Sequence, residues 1–256
     1  MSCPHCCPEE HAAITGDGWR CLQGSSEILL RSEPDDSFDA VISDPPYAAG
    51  ATSLLGRLQS SATKYQNSDT KNRLPPIAGD SMLPDAWQFM MTAVVTQCYR
   101  ILKPGGTLLF FCDWRSLNGM MSAVGSVFTL RSALIWNKGR GCRPHKNGFR
   151  SQSEMILRAK KPGNLDRDEP VYLDGVFSHS TRTGNKVHLT EKPLGLMRDL
   201  LQIAPPSGSI CDPFQGSGTT GVAAIEMGLQ YLGIEATEHY HHTAVARLQA
   251  TAPLSV

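Results

Sequence analysis

The tetrad Asp44-Pro45-Pro46-Tyr47 holds the side chains of this 256-residue chain best suited to chemistry. Asp44 offers an anionic oxygen that accepts a hydrogen bond from an exocyclic NH2 and draws electron density onto that nitrogen. Pro45 and Pro46 have a fixed φ and no N–H, so a carbonyl in this stretch is aimed by the chain and meets little local competition. The Pro45 carbonyl is then a second acceptor for the same NH2, and Tyr47 supplies a π face for stacking. Together they suit a flat, amine-bearing base, held by edge and face while a small group is moved onto the amine. A Pro-rich turn with an exposed Asp has the same four residues, so the reading needs a second site.

Asp212-Pro213-Phe214-Gln215-Gly216-Ser217-Gly218-Thr219-Thr220 is that second site; it follows an apolar run and opens a helical pattern. Glycines there let a ligand approach the backbone closely. N–H groups at a helix start favour a carboxylate or other anion. Asp212, at the end of its strand, suits an ammonium group. Glu235 ends the next apolar run, 17 residues after Gly218, where a carboxylate suits ribose hydroxyls. No Gly-Lys-Ser/Thr follows the loop, which speaks against a triphosphate. A ligand carrying an amino acid and a ribose fits better, and S-adenosylmethionine has both.

Strands must end at these groups to position them. The run Phe38 to Ser43 predicts a strand with Asp44 at its carboxyl end, where open α/β sheets put their ligands. Trp19 to Leu30 predicts a strand, a turn at Gly24 and a short helix. Residues 85–102 predict a helix whose Trp87, Met90, Met91, Val94, Val95, Cys98 and Leu102 share a core-facing side. Lys103-Pro104-Gly105-Gly106 stops it, and Thr107 to Cys112 reads as a fully buried strand. Helices follow at 117–127, 191–203 behind a Thr190 cap, 218–227 and 239–249, and strands at 128–136, 153–159, 209–211 and 231–234. Residues 48–84 and 160–189 read as long irregular segments, which after a catalytic strand are often recognition elements. Alternating strands and helices imply an α/β fold, with a mainly parallel sheet covered on both faces. We read residues 1–18 as an N-terminal extension and 19–256 as one domain with recognition loops at 48–84 and 138–188.

Length and composition fit a single globular domain with an ample core. No apolar run reaches the length of a membrane span, and the first residues lack a basic, apolar leader pattern, so a cytoplasmic protein is expected. Formal charge is zero but uneven. Arg131 to Lys161 holds nine Lys/Arg against one acid, Glu154, while Met1 to Tyr47 holds nine Asp/Glu against two Arg. A basic block of this kind binds phosphates, which nominates Lys138, Arg140, Arg143, Lys146 and Arg150. The eight cysteines are scattered and expected to be thiols. Cys3, Cys6 and Cys7, with His5, His11 and Cys21 nearby, lack the second C-x2-C pair of a regular zinc site, and no metal is expected.

In their order along the chain these motifs resemble the amino-group DNA methyltransferases of the permuted β class. That family has an early Asp-Pro-Pro-Tyr, matched by Asp44 to Tyr47, and a late Phe-x-Gly-x-Gly loop, matched by Phe214 to Gly218. His188-Leu189-Thr190-Glu191-Lys192-Pro193 is similar to the motif preceding that loop. Leu102 to Gly106 and Phe149 to Glu154 match further landmarks. The resemblance runs from about Trp19 to about Leu248.

The resemblance implies the S-adenosylmethionine-dependent fold, a Rossmann-like sheet of about seven strands. By matched position, Asp212, Phe214, Gly216, Ser217, Gly218 and Thr219 would line the methionine end, joined by Thr190, Lys192 and Pro193, with Asp44 at the border of the cofactor. Glu235 would hold the ribose, and Ser25 would stand near the adenine, where relatives often carry Asp. Asp44, Pro45, Pro46 and Tyr47 would be catalytic. The substrate would be double-stranded DNA, with the basic residues on its phosphates and bases, and the chain would act on a flipped-out adenine N6 because Asp leads the tetrad. N4 of cytosine is the alternative, as is a silent DNA-binding protein of the same fold. A homodimer is the resemblance's expectation for assembly.

Overall fold

The computed structural model describes residues 13–47, 82–142, 146–167, 169–181 and 192–254. Arg143, Thr190, the loop 48–81 and the cluster Cys3 to His11 lie outside the described residues.

Among the described residues, nine strands form one sheet in the order β1-β2-β9-β8-β3-β4-β6-β5-β7. They are β1 (Ile14–Gly16), β2 (Trp19–Gln23), β3 (Phe38–Ser43), β4 (Leu102–Cys112), β5 (Thr129–Asn137), β6 (Ser153–Lys160), β7 (Val176–Ser178), β8 (Ser209–Asp212) and β9 (Gln230–Glu235). Strands β2, β9, β8, β3 and β4 run parallel, and β6 runs antiparallel between β4 and β5. The helices are α1 (Ser26–Leu29), α2 (Pro84–Ile101), α3 (Leu117–Gly125), α4 (Leu194–Leu201), α5 (Thr219–Glu226) and α6 (Glu238–Gln249).

Period two along the buried strands sorts their side chains to two cores. Leu108, Phe110 and Cys112 of β4 face the core that α2 and α3 cover, with Trp87, Met91, Val94 and Met120. Leu109 and Phe111 face the opposite core, covered by α4, α5 and α6, with Leu196, Leu200, Ala223 and Leu248. Both faces of β3 and β4 are therefore dry, which is why these strands read as unbroken apolar runs rather than alternating ones.

Four elements differ from the sequence reading. The two outermost strands, β1 and β7, are three residues each and carry too little periodicity to be seen; β1 also lies inside the segment read as an extension. Lys103-Pro104-Gly105-Gly106 follows the helix end at Ile101, as expected, but the strand runs through that stretch instead of starting after it at Thr107. Strand β4 begins at Leu102, and the register against β3 shifts between Phe38 and Ala40, a bulge that accommodates Pro104 and the left-handed Gly105 at φ 85°. Helix α4 begins at Leu194 with Pro193 at its N-cap, three residues later than the start read at Glu191. The residue before a proline is held extended, and Lys192 therefore precedes the helix.

The chain leaves β3 toward β4 on one side, and leaves β8 toward β9 on the other. The sheet's order reverses between β3 and β8, which pair at Ala40↔Ile210 and Val41↔Cys211. A crevice opens beyond the carboxyl ends of strands at such a point. Asp44 and Asp212 stand on its two lips.

Candidate active site

A cleft of about 470 Å³ occupies that rim. Its wall includes Asp44, Pro45, Pro46 and Tyr47 on one side and Asp212, Phe214, Gly216, Ser217, Thr219 and Glu235 on the other, with Ser25 at the end of β2. The two stretches that the sequence pairs by chemistry, 168 residues apart from Asp44 to Asp212, thus share one cavity.

The tetrad is fixed from behind. Trp87 of α2 donates its indole N–H to the Pro46 carbonyl at 2.5 Å. Among the described residues none donates to the Pro45 carbonyl, which leaves that acceptor for the cleft. Tyr47 donates its hydroxyl to Asp44 Oδ1 and also lies 2.8 Å from Glu154 Oε1. The ring therefore stays protonated: burial pushes its phenol well up, and the two carboxylates push it further.

The loop after β8 is built on its own carboxylate. Asp212 Oδ1 accepts from Ser43 Oγ at 2.5 Å and from the Phe214 N–H at 3.1 Å. Only 2% of Asp212 is exposed, and among the described residues no Lys or Arg pairs with it. Burial pushes its carboxyl up to about 6, against the pull of those hydrogen bonds. Gln215 folds back over β9, where a Cβ on Gly233 would sit 2.0 Å from its amide oxygen. Gly218 is left-handed at φ 80° and packs on α6, with 2.9 Å between an added Cβ and the Ala244 Cβ. Glu235 takes the Gly216 N–H on Oε2 at 3.0 Å and the Thr237 N–H on Oε1 at 2.7 Å. A buried carboxylate with no counter-ion among the described residues, a glycine loop and a second carboxylate one strand away fit an ammonium, a carboxylate and a ribose diol.

The structure gives several of the expected site residues neighbours that the sequence does not show. Gly218 and Pro193 are outside the cleft's lining; the first seats α5 against α6 and the second caps α4. Ser217 and Thr219 reach the cleft, yet their hydroxyls also accept from Arg247 of α6 at 3.0 and 3.2 Å. Lys192 is in the cleft, but its ammonium meets Asp44 Oδ2 at 2.5 Å and Glu154 Oε1 at 3.0 Å. Lys138 turns inward to Glu154 Oε2 at 3.3 Å instead of lying on the outer basic face. Arg140, Lys146 and Arg150 are exposed, as is Phe149 beside them at 97%. Sequence reasoning missed Glu154, Phe111 and Trp136 in the cleft. Glu154 had a signal, as the lone acid in the basic block at the mouth of an apolar strand. The aromatics had none, since Phe111 reads as ordinary core.

Residues 38–246 match the model of the N6_N4_Mtase family, described as DNA methylase. The chain belongs to this N6/N4 DNA methylase family. It is a DNA methyltransferase by that membership, and S-adenosyl-L-methionine is the cofactor of the family. YubD of Escherichia coli strain K12 is 29% identical over 90% of both chains. TTHA0409 of Thermus thermophilus, solved with S-adenosyl-L-methionine, superposes with a TM-score of 0.65 at 20% identity, over 90% of this chain and 93% of that one. The PvuII DNA methyltransferase, cytosine-N4-specific, superposes at 0.64 with 17% identity, over 91% and 87%. These likenesses carry the fold of the methylase; they leave its target base open. Among the described residues no helix is long and apolar enough to cross a membrane.

Proposed function

We propose that this methylase is site-specific and transfers a methyl group from S-adenosylmethionine to the exocyclic N6 of an adenine turned out of double-stranded DNA. The observation that carries the reading is the single cleft in which Asp44 to Tyr47 face the loop Asp212 to Thr219. When bound, S-adenosylmethionine supplies a methyl on an electrophilic sulfonium. Asp212 would take its ammonium, the Gly216 loop its carboxylate end, Glu235 the ribose hydroxyls and Ser25 the edge of its adenine.

The target amine is conjugated into its ring and weakly nucleophilic. Asp44 and the Pro45 carbonyl accept hydrogen bonds from its two N–H groups, which favours a more tetrahedral nitrogen and stabilises positive charge as it develops. Tyr47 offers its ring for stacking, while its hydroxyl pins Asp44. The tetrad is held rigid by Trp87, so the approach geometry is set before the base arrives. Extrusion is needed because stacking and pairing hide the nitrogen inside a duplex. Arg140, Lys146 and Arg150 would neutralise phosphates at the mouth, and exposed Phe149 offers an apolar surface among them.

Cytosine N4 is the second reading, favoured by the likeness to the PvuII enzyme. Sequencing DNA from cells that express the chain, with detection of modified bases, reports base and context together. Adenine marked within one short sequence supports the proposal; marked cytosine replaces it with the second reading, and unmodified DNA discards both. Asp44→Ala should abolish the mark while leaving cofactor binding largely intact. A sizing column with light scattering reads whether the chain pairs, as the resemblance implies.

A further inference from the structure

We propose that Lys192, braced by Glu154, is the positioning residue that keeps Asp44 a charged and correctly aimed acceptor. The inference rests on the reading of Asp44 as the acceptor for the target amine. It differs from the role that motif position gives Lys192, which is contact with the cofactor.

Two carboxylates meet in this corner of the cleft. Asp44 and Glu154 share one phenol, Tyr47, and one ammonium, Lys192. Lys138 completes the set on the far oxygen of Glu154. Charges therefore alternate from Asp44 to Lys192 to Glu154 to Lys138, and the group is neutral as a whole. Lys192 is 9% exposed. Its Nζ lies 4.9 Å from the ring centre of Phe111, 5.7 Å from Tyr47 and 5.9 Å from Trp136. Rings at that range favour a cation and displace the water that would otherwise replace it.

The surroundings of Asp44 are otherwise acidic. Glu154 faces it from β6, Asp212 from β8, and Asp113 and Glu235 line the same cleft from the ends of β4 and β9, with Arg115 paired to Asp113. Among the described residues, Lys192 is the cation within salt-bridge distance of Asp44. Burial pushes the Asp44 carboxyl up, the Lys192 ammonium pulls it back, and Glu154 pushes it up again. Without the ammonium, two neighbouring carboxylates would hold one proton between them. A protonated Asp44 presents a hydroxyl donor where the amine needs an acceptor. Lys192 itself stays charged, since its two carboxylate partners outweigh burial and lift it to about 12.

The test compares Lys192→Met, Lys192→Arg, Glu154→Gln and the Lys192→Met/Glu154→Gln pair. Turnover on DNA is measured from pH 5.5 to 9.5, S-adenosylmethionine affinity by calorimetry, and folding by thermal melts. Lys192→Met should move the acid limb of kcat upward by about one pH unit or more, a loss of about tenfold on that limb. Cofactor affinity should hold within about twofold, and Lys192→Arg should restore the limb. Glu154→Gln removes a like charge, so its limb should move down, and the pair should return toward wild type. A lower kcat with an unmoved limb, or a lost cofactor affinity in Lys192→Met, overturns the proposal. A carbon-13 NMR titration of the Asp44 carboxyl reads the same shift without turnover. A wild-type chain that transfers no methyl would refute the proposed function, while that titration still decides the role of Lys192.

Discussion

Asp212→Asn should make the protein more stable at pH 8 and worse at binding S-adenosylmethionine. The Asp212 carboxyl is raised from its ordinary 3.8 to about 6 by burial. A carboxyl raised this far binds its proton more tightly in the folded chain than in the unfolded one. Stability is therefore unaffected below the unfolded value, falls as pH rises between about 4 and 6, and carries the full cost above that window. The cost is about 3 kcal/mol. Asparagine is neutral, and its carbonyl can still accept from Ser43 Oγ and the Phe214 N–H, which meet Oδ1 in the wild type. Imperfect geometry in those bonds returns about 1 kcal/mol. The net gain of about 2 kcal/mol corresponds to a melting temperature about 4–8 °C higher for a chain of this size. Scanning calorimetry of both proteins at intervals from pH 4 to 8 should show the curves meeting near pH 4 and separating by pH 7. Titration calorimetry at pH 8 should show affinity for the cofactor reduced, because the ammonium loses its counter-charge. A difference independent of pH, or a variant that melts lower at pH 8, would refute the argument that Asp212 is a buried charge held for a cation.

Three further outcomes follow from the geometry. Gly218→Ala should cost about 1–3 kcal/mol in a chemical-denaturation series, since the position is left-handed and an added Cβ meets Ala244 at 2.9 Å; unchanged stability would contradict that packing. Replacing Lys146 and Arg150 by alanine should weaken DNA binding for all sequences alike and reduce the slope of log affinity against log salt by about one per lost phosphate contact, measured by fluorescence anisotropy. An unchanged slope would remove these residues from the interface. Phe149→Ala alone should leave the melt within about 0.5 kcal/mol, its ring being exposed, while lowering DNA affinity.

The parts of this molecule legible in its sequence are those where one local rule decides the outcome. The runs at Phe38 to Ser43 and Thr107 to Cys112 had to be buried strands, and Asp44 at the end of the first had to meet Asp212 at the end of its parallel neighbour β8. Edge strands of three residues lack a period to read. Pro104 and Gly105 rightly marked the end of the helix, but they hid the early start of β4, because a bulge in pairing with β3 is a tertiary event. Lys138 and Lys192 each have a partner that the sequence does not show, for a common reason. A lysine's sign can be read locally, but its partner Glu154 arrives from β6, which runs antiparallel and brings its first residues to the rim. Gly218 carried the right conformational signal, and its left-handed turn also seats α5 against α6, a contact no local pattern shows.

The central claim is that one cleft aligns a methyl donor with an exocyclic amine accepted by Asp44. The most direct measurement incubates the purified chain with duplex DNA and S-adenosylmethionine carrying a labelled methyl, then digests the DNA and identifies the labelled nucleoside by chromatography and mass spectrometry. Label on N6-methyl-2′-deoxyadenosine, and its loss in Asp44→Ala at unchanged cofactor affinity, is the predicted result. Label on a ring carbon, or label that persists in Asp44→Ala, would contradict the account.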